Sequence, residues 1–164
     1  MPHASVIDGI EFARRSSKLS GSQPVSTLAR VRENLLAAEG ALRYEIEGLP
    51  QVQGRPALRV QVGGVLALRC QRCLGRLDFD LNSESLLLLY EAEAELAALP
   101  VDAEGPERIV ARKEMPVLEL LEDEVLLAVP YAPRHEECGP RAGDAPAATQ
   151  RPLAGLRALM GGKR

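Results

Sequence analysis

A stretch between residues 42 and 89, in which apolar and polar residues alternate, constrains the fold more than any other feature. Leu42, Tyr44 and Ile46 alternate with charged residues, and the same period of two returns in later parts of the stretch. Because successive side chains of a β-strand point to opposite faces, this pattern predicts strands with one buried face. Three or four such strands, with Gly63-Gly64 as one tight turn, predict an antiparallel meander.

Segments with helical periodicity flank this stretch. Ser26 is expected to cap a helix through residues 28–36 that ends at Gly40. Pro116 is expected to open a second helix, which Pro130 ends. The predicted fold class is therefore α+β: an antiparallel β-meander of about four strands with a few helices packed on one face.

The length and composition favour one globular domain. The chain has 164 residues, of which 46% are hydrophobic, enough for a single core. We assign residues 1–138 to one α+β domain and the Gly-, Pro- and Ala-rich residues 139–150 to a flexible linker. Apolar residues spaced through residues 151–164 predict a C-terminal docking helix, followed by a basic tail.

The composition also argues against several classes of protein. No apolar stretch approaches the ~18 residues that a membrane span requires, so no membrane association is expected. The first residues lack the pattern of a secretory signal, and three cysteines are too few for a disulfide framework, so we expect a cytoplasmic protein. No phosphate-binding loop or hydrolase motif is present, and neither an enzymatic activity nor a small-molecule substrate is expected.

The charge is distributed unevenly along the chain. The net charge of −3 combines +5 over residues 1–76, −2 over residues 77–83, −9 over residues 84–124 and +3 over residues 125–164. Such an asymmetry is typical of a protein that meets a polyanion or a basic protein. The acidic stretch is equally compatible with a solvated surface, and we expect Glu122-Asp123-Glu124 to form a solvated helix face.

The three cysteines and one histidine form two pairs. Cys70 and Cys73 are spaced as in a zinc knuckle, and Gly75 is expected to relieve the turn beneath the metal. His135 and Cys138 have the same spacing and follow the helix that ends at Pro130. Together the two pairs would supply the four ligands of one structural zinc ion.

Other interpretations of these residues stay open. The cysteine pair could be a redox pair, but the strand pattern after Cys73 places it at a hairpin tip and not at a helix N-terminus. The cysteines could also be small buried residues or free thiols, and His135 could cap the preceding helix. Glu122-Asp123-Glu124 could mimic a metal or acid/base site, but adjacent helix residues do not converge.

The order of these motifs resembles the YceD family, the large ribosomal RNA subunit accumulation proteins. The resemblance is carried by Cys-Gln-Arg-Cys at 70–73, by residues 121–130 leading to Pro133-Arg134-His135 and Cys138, and by residues 151–159. The last segment departs from the family, since it begins with Arg-Pro-Leu where the family often has Asn-Pro-Phe. The resemblance implies a bacterial role in the synthesis, processing or stability of 23S rRNA, hence in ribosome biogenesis, and it does not imply a catalytic activity.

Two partners are compatible with this role: a 23S rRNA precursor and a large-subunit ribosomal protein. Candidate contacts to RNA phosphates lie in the basic segments, and they are Arg14, Arg15, Lys18, Arg69, Arg72 and Arg76. These side chains could instead be solvated or pair with nearby acids. The alternatives to a biogenesis factor are a zinc- or thiol-dependent enzyme and a protein-interaction module that uses residues 84–124 without RNA contact.

Overall fold

The computed structural model of the chain describes residues 6–98 and 105–138. The predicted linker, docking helix and basic tail lie outside these residues. In chain order the strands are β1 (Val6–Ile7), β2 (Lys18–Pro24), β3 (Ala41–Val52), β4 (Arg55–Arg69), β5 (Arg76–Tyr90), β6 (Glu107–Val110) and β7 (Met115–Pro116). The helices are α1 (Gly9–Arg14), α2 (Ala29–Arg32), α3 (Glu93–Ala97) and α4 (Val117–Ala128), with a 3₁₀ turn at Val25–Thr27.

The predicted α+β meander is confirmed. Five strands form one sheet in the order β2-β3-β4-β5-β6, and all neighbours are antiparallel except the parallel pair β5 and β6. Strands β1 and β7 form a separate antiparallel pair. Among the described residues, no helix has the length and apolar character that crossing a membrane requires.

The chain does not turn at Gly63-Gly64, where the sequence predicts a tight turn, and the turn between β3 and β4 lies earlier in the chain. Gln53 and Gly54 form it, with φ values of 50° and 81°, and two successive left-handed residues are typical of a tight hairpin. Gly63 and Gly64 lie inside β4 instead. A Cβ on Gly64 would lie 2.7 Å from Leu42 Cδ2, so this glycine admits a close approach of β3 and does not reverse the chain.

Strand β2 and helix α2 also differ from the sequence prediction. The polar residues of β2 show no alternation, yet they pair along β3 at the edge of the sheet. The predicted helix over residues 28–36 has only one turn, and the side chain of Ser26 does not cap it. The helix ends early because Leu36 N–H donates to the Ala67 carbonyl at 2.7 Å, and Ala37 bridges to Ala67.

The main core lies between one face of the sheet and helices α1, α2 and α4. Alternate residues of β3 and β4, such as Ile46 and Val60, are fully buried there with Val31 of α2 and Val125 of α4. Gly48 brings α1 against β3, since any Cβ at this position would clash with the Phe12 carbonyl. A smaller cluster on the other face joins Leu88 and Tyr90 of β5 with Leu96 of α3.

The acidic triplet of α4 is not the solvated face that the sequence predicts. Glu122 and Glu124 are only 5% and 4% exposed. Glu122 accepts a hydrogen bond from the Arg30 N–H at 2.9 Å, at the start of α2. Glu124 accepts hydrogen bonds from the hydroxyls of Ser83 and Ser85 on β5. These carboxylates join α4 to α2 and to the sheet, and as predicted they do not converge on one point.

Candidate metal centre

The first two candidate ligands lie in the turn between β4 and β5, as the sequence predicts. Cys70 N–H donates to the Gly75 carbonyl and Leu74 N–H donates to the Cys70 carbonyl, both at 2.9 Å. The left-handed residue of the turn is Leu74, with a φ of 60°, and not the predicted Gly75. A Cβ on Gly75 would instead lie 3.4 Å from the Cys73 Sγ, so this glycine leaves room for the thiolate.

The loop after α4 brings the other two candidate ligands to this turn. Gln71 N–H donates to the Pro133 carbonyl at 2.8 Å. The Arg72 guanidinium donates to the carbonyls of His135 and Glu136, at 3.1 and 3.3 Å. The hairpin therefore holds the loop by its backbone carbonyls, and the positions of His135 and Cys138 follow from these contacts.

The four candidate ligand atoms form a compact group. All of them lie within 4.8 Å of one another. Cys70 Sγ and Cys138 Sγ are 3.8 Å apart, and Cys73 Sγ and His135 Nδ1 are 3.4 Å apart. Zinc bound tetrahedrally at ~2.3 Å from sulfur and ~2.0 Å from nitrogen gives edges of about 3.8 and 3.5 Å. The spacing therefore fits one tetrahedral ion.

The His135 ring is held in the orientation that such a site requires. Its Nε2 lies 2.9 Å from the Arg76 carbonyl oxygen, which can only accept, so Nε2 carries the proton. Nδ1 then presents its lone pair to the cysteines. A second ring nitrogen bound to a carbonyl is the usual support of a metal-binding histidine. His135 contacts the hairpin here, and it does not cap α4 as the alternative interpretation supposed.

The thiols have different acidities. The pKa of Cys70 is lowered to about 5, chiefly because the Cys73 N–H donates to its sulfur, with further donors at His135 and Arg72. A hydrogen bond from the Gly75 N–H lowers the pKa of Cys73, but burial and the neighbouring thiols outweigh it, so this pKa is raised. The neighbouring sulfurs thus disfavour the negative charge of the Cys73 thiolate, as expected at a site where a cation would be bound.

Arg72 completes the group with a positive charge. Its Nε donates to Cys138 Sγ at 2.8 Å, and this contact raises the pKa of Arg72. Three thiolates and one neutral imidazole around a divalent ion leave one net negative charge. The guanidinium is placed to balance that charge. The sequence predicts Arg72 to contact RNA, and its place between the two cysteines is the sequence signal for the role seen here.

The donor chemistry suits zinc. Soft thiolates with one imidazole are typical of structural zinc sites, which have four protein ligands and no open position. Cys70 is fully buried and the other three residues are half-buried. A redox pair would place its first thiol at a helix N-terminus, whereas here both thiols lie in a hairpin turn. Zinc binding itself stays a prediction.

The predicted RNA contacts separate into two groups. Lys18 of β2 lies opposite Glu47 of β3, and Glu47 lies opposite Arg59 of β4. Arg59 comes ten residues before Arg69 on β4, which corresponds to roughly 33 Å along the strand. The first group is Arg14, Arg15 and Lys18, and each of them forms an ion pair, with Glu91, Glu11 and Glu47 respectively. Lys18 therefore lies far from Arg69 along the sheet.

The second group surrounds the candidate metal centre. Arg76 pairs with Asp78 and Glu39, at 2.7 and 3.0 Å. Arg72 faces Cys138, as described above. Arg69 is exposed and forms no ion pair within residues 6–98 and 105–138. Of this group, Arg69 has the guanidinium most available to a partner.

The acidic residues of the stretch over residues 84–124 that the structure describes do not form one acidic surface. Its members are distributed over β5, α3, β6 and α4, and two of them are buried. Several others pair with basic side chains, and these pairs are Glu84 with Arg59, Glu91 with Arg14, Glu95 with Arg55, Glu119 with Arg112 and Asp123 with Arg30. Much of the uneven charge along the sequence is therefore neutralised by ion pairs within the fold.

The chain matches a protein-family model. A family model described as "Large ribosomal RNA subunit accumulation protein YceD" matches residues 58–158. This match includes most of β4, all of β5 and α4, and all four candidate ligands. No curated protein matches the chain, and no solved structure does.

Proposed function

The chain belongs to the YceD family, and on that premise we propose that it promotes the accumulation of 23S rRNA as a non-enzymatic factor in ribosome biogenesis. The family description names the accumulation of large-subunit ribosomal RNA and no chemical reaction. In this proposal the protein acts in the cytoplasm on the synthesis, processing or stability of 23S rRNA. It has no substrate of its own, and it works by binding.

The closed geometry of the Cys70, Cys73, His135 and Cys138 group carries the proposal. Four candidate ligand atoms within 4.8 Å of one another would leave a bound zinc ion no coordination position for water or substrate. The ion would join the β4–β5 hairpin to the loop after α4, two segments about 60 residues apart in the chain. This supports a structural zinc ion and a binding role, and it disfavours the zinc- or thiol-dependent enzyme.

We place the RNA contact at the hairpin tip. A metal-bound tip is rigid, and it presents the exposed Arg69 beside the cluster. Phosphate contacts of this kind bind RNA with little dependence on sequence. Base stacking is not required, and only 3% of the chain is aromatic. A ribosomal protein as direct partner is less favoured, because the acidic residues that would attract it are dispersed and paired.

A depletion experiment tests the function. Cells depleted of the protein should accumulate 23S precursors and lose mature large subunits, and the wild-type chain should restore both. Cys73→Ser should restore neither, since one metal ligand is lost. Normal 23S levels in depleted cells would contradict the proposed function.

The RNA contact needs a separate measurement. Arg69→Glu should weaken binding to large-subunit precursor RNA and lower the salt slope by ~1. Arg43→Glu is the matched control, since Arg43 is exposed on β3 outside both basic groups. Equal binding by the two variants, with zinc content unchanged, would move the contact away from the tip.

A further inference from the structure

An apolar groove lies between the end of α4 and the β4–β5 hairpin. It has a volume of about 450 Å³ and is lined by Leu126, Leu127 and Tyr131 on one side and by Arg69 and Gln71 on the other. Its lining includes no acidic residue. None of the candidate metal ligands lines this groove, and Arg69 is the one lining residue that belongs to the proposed RNA contact.

Two lining residues leave large apolar surfaces uncovered. Leu127 is 71% exposed and Tyr131 is fully exposed. Both lie within five residues at the end of α4, so the exposed surface is concentrated at one place. Contiguous exposed apolar surface of this kind usually marks a binding site, because its burial releases water at a favourable free energy.

We propose that residues 151–160 of this same chain bind in the groove. The chain continues for 26 residues beyond Cys138, and within them Leu153, Leu156 and Met160 follow a helical spacing that places them on one face. The family match extends to residue 158, so it includes most of this segment. The apolar face would cover Leu127 and Tyr131.

The groove is within reach of this segment. Cys138 Sγ lies 3.8 Å from Cys70 Sγ, and Cys70 lies between Arg69 and Gln71, which line the groove. Residues 139–150 can extend over ~40 Å, far more than this distance. Attachment to the same chain gives the segment an effective concentration of the order of millimolar, so a modest apolar contact suffices.

The composition of the groove favours this occupant over RNA. The groove has a single arginine and walls that are mainly aliphatic, whereas RNA binding relies on several basic groups. A segment with Arg151 and Arg157 and no acidic residue would meet no like charge except Arg69, and its arginines can point to solvent. The inference does not depend on the rRNA partner.

A tryptophan at position 131 tests the inference in the full chain. The chain has no tryptophan, so Tyr131→Trp gives one fluorophore at a position with free space around it. With zinc present, its emission should be blue-shifted and protected from acrylamide. Adding Leu156→Asp should abolish both effects. Adding Ala154→Asp should preserve them, because position 154 lies away from the apolar helical face.

The possible outcomes are distinct. Emission typical of solvated indole in the otherwise unchanged chain would overturn the proposal. So would protection that disappears on dilution, which indicates a second copy, or protection that requires added RNA. Far-ultraviolet dichroism and zinc content should be the same in all variants, so that a loss of protection reports on the groove and not on unfolding.

Discussion

His135 Nε2 lies 2.9 Å from the carbonyl oxygen of Arg76, the first residue of β5. The contact fixes the ring so that Nδ1 faces Cys73, at 3.4 Å from its sulfur. A backbone group of the hairpin thus orients a side chain from a loop 59 residues later in the sequence.

Removal of the imidazole should abolish tight zinc binding. Protein purified without chelator should contain about one zinc per chain, and His135→Ala should contain much less. His3→Ala is the matched control, because the chain has two histidines and His3 is not a predicted ligand. Elemental analysis measures both. Equal zinc in the two variants would exclude His135 as a ligand.

Loss of the Arg72 guanidinium should weaken metal binding without removing a ligand. Arg72→Ala deletes the donor to Cys138 Sγ and to two loop carbonyls, and such supporting contacts are typically worth ~10–100-fold in metal affinity. Arg69→Ala should leave the affinity unchanged. Competition with a chromophoric chelator gives both values. An unaltered affinity in Arg72→Ala would show that the guanidinium does not support the site.

Truncation of Glu124 should destabilise the fold. Glu124→Ala leaves the hydroxyls of Ser83 and Ser85 without their acceptor and should cost ~1–3 kcal/mol in the free energy of unfolding. Asp123→Ala removes an exposed carboxylate of the same helix and should have a much smaller effect. Urea denaturation of the zinc-loaded proteins compares them. Similar losses of unfolding free energy in the two variants would mean that the buried hydrogen bonds of Glu124 do not contribute more than an exposed carboxylate.

A methyl group at Gly48 should separate α1 from the sheet. The added Cβ would clash with the Phe12 carbonyl, and Gly48→Ala should destabilise the protein by ~1–3 kcal/mol. Gly63→Ala is the control inside β4, since its Cβ would lie 3.6 Å from the nearest atom, the Leu81 carbonyl oxygen. That variant should be neutral or slightly stabilised in thermal unfolding. A neutral Gly48→Ala would contradict the close packing.

Glu47 should stabilise the fold in a pH-dependent way. Its carboxylate accepts from Lys18 and Arg59 at 2.9 and 2.8 Å, and the hydrogen bond from Lys18 is the chief cause of its lowered pKa. Because the pKa is lower in the folded state, the contribution is present above the unfolded value of ~4.3 and is lost as the pH falls through the folded value.

The matching experiment compares unfolding free energies across pH. Glu47→Gln should be less stable than the wild type at pH 7, and the difference should shrink as the pH falls below ~4. Glu45→Gln removes a carboxylate two residues away on the same strand and is the matched control. If the difference in unfolding free energy between Glu47→Gln and the wild type persists unchanged in acid, the ion pairs of Glu47 are not its source.

The sequence alone determined the parts of this protein that depend on neighbouring residues. Strands β3, β4 and β5 were predictable because alternation is a local property, and one buried face selects it. The pairing of Cys70 with Cys73, and of His135 with Cys138, was visible because two intervening residues suit convergence on one ion. The end of α4 near Pro130 was visible for a similar local reason.

Only the tertiary structure decided the features that depend on distant partners. Strand β2 has no alternation, and it exists because the edge of β3 offers hydrogen bonds. Helix α2 is short because Leu36 bonds to Ala67 on β4. Glu124 is buried because two serines about 40 residues away supply its hydrogen bonds, and Arg72 faces Cys138 across 66 positions. Such partners satisfy polar groups that a local pattern can only predict to be exposed.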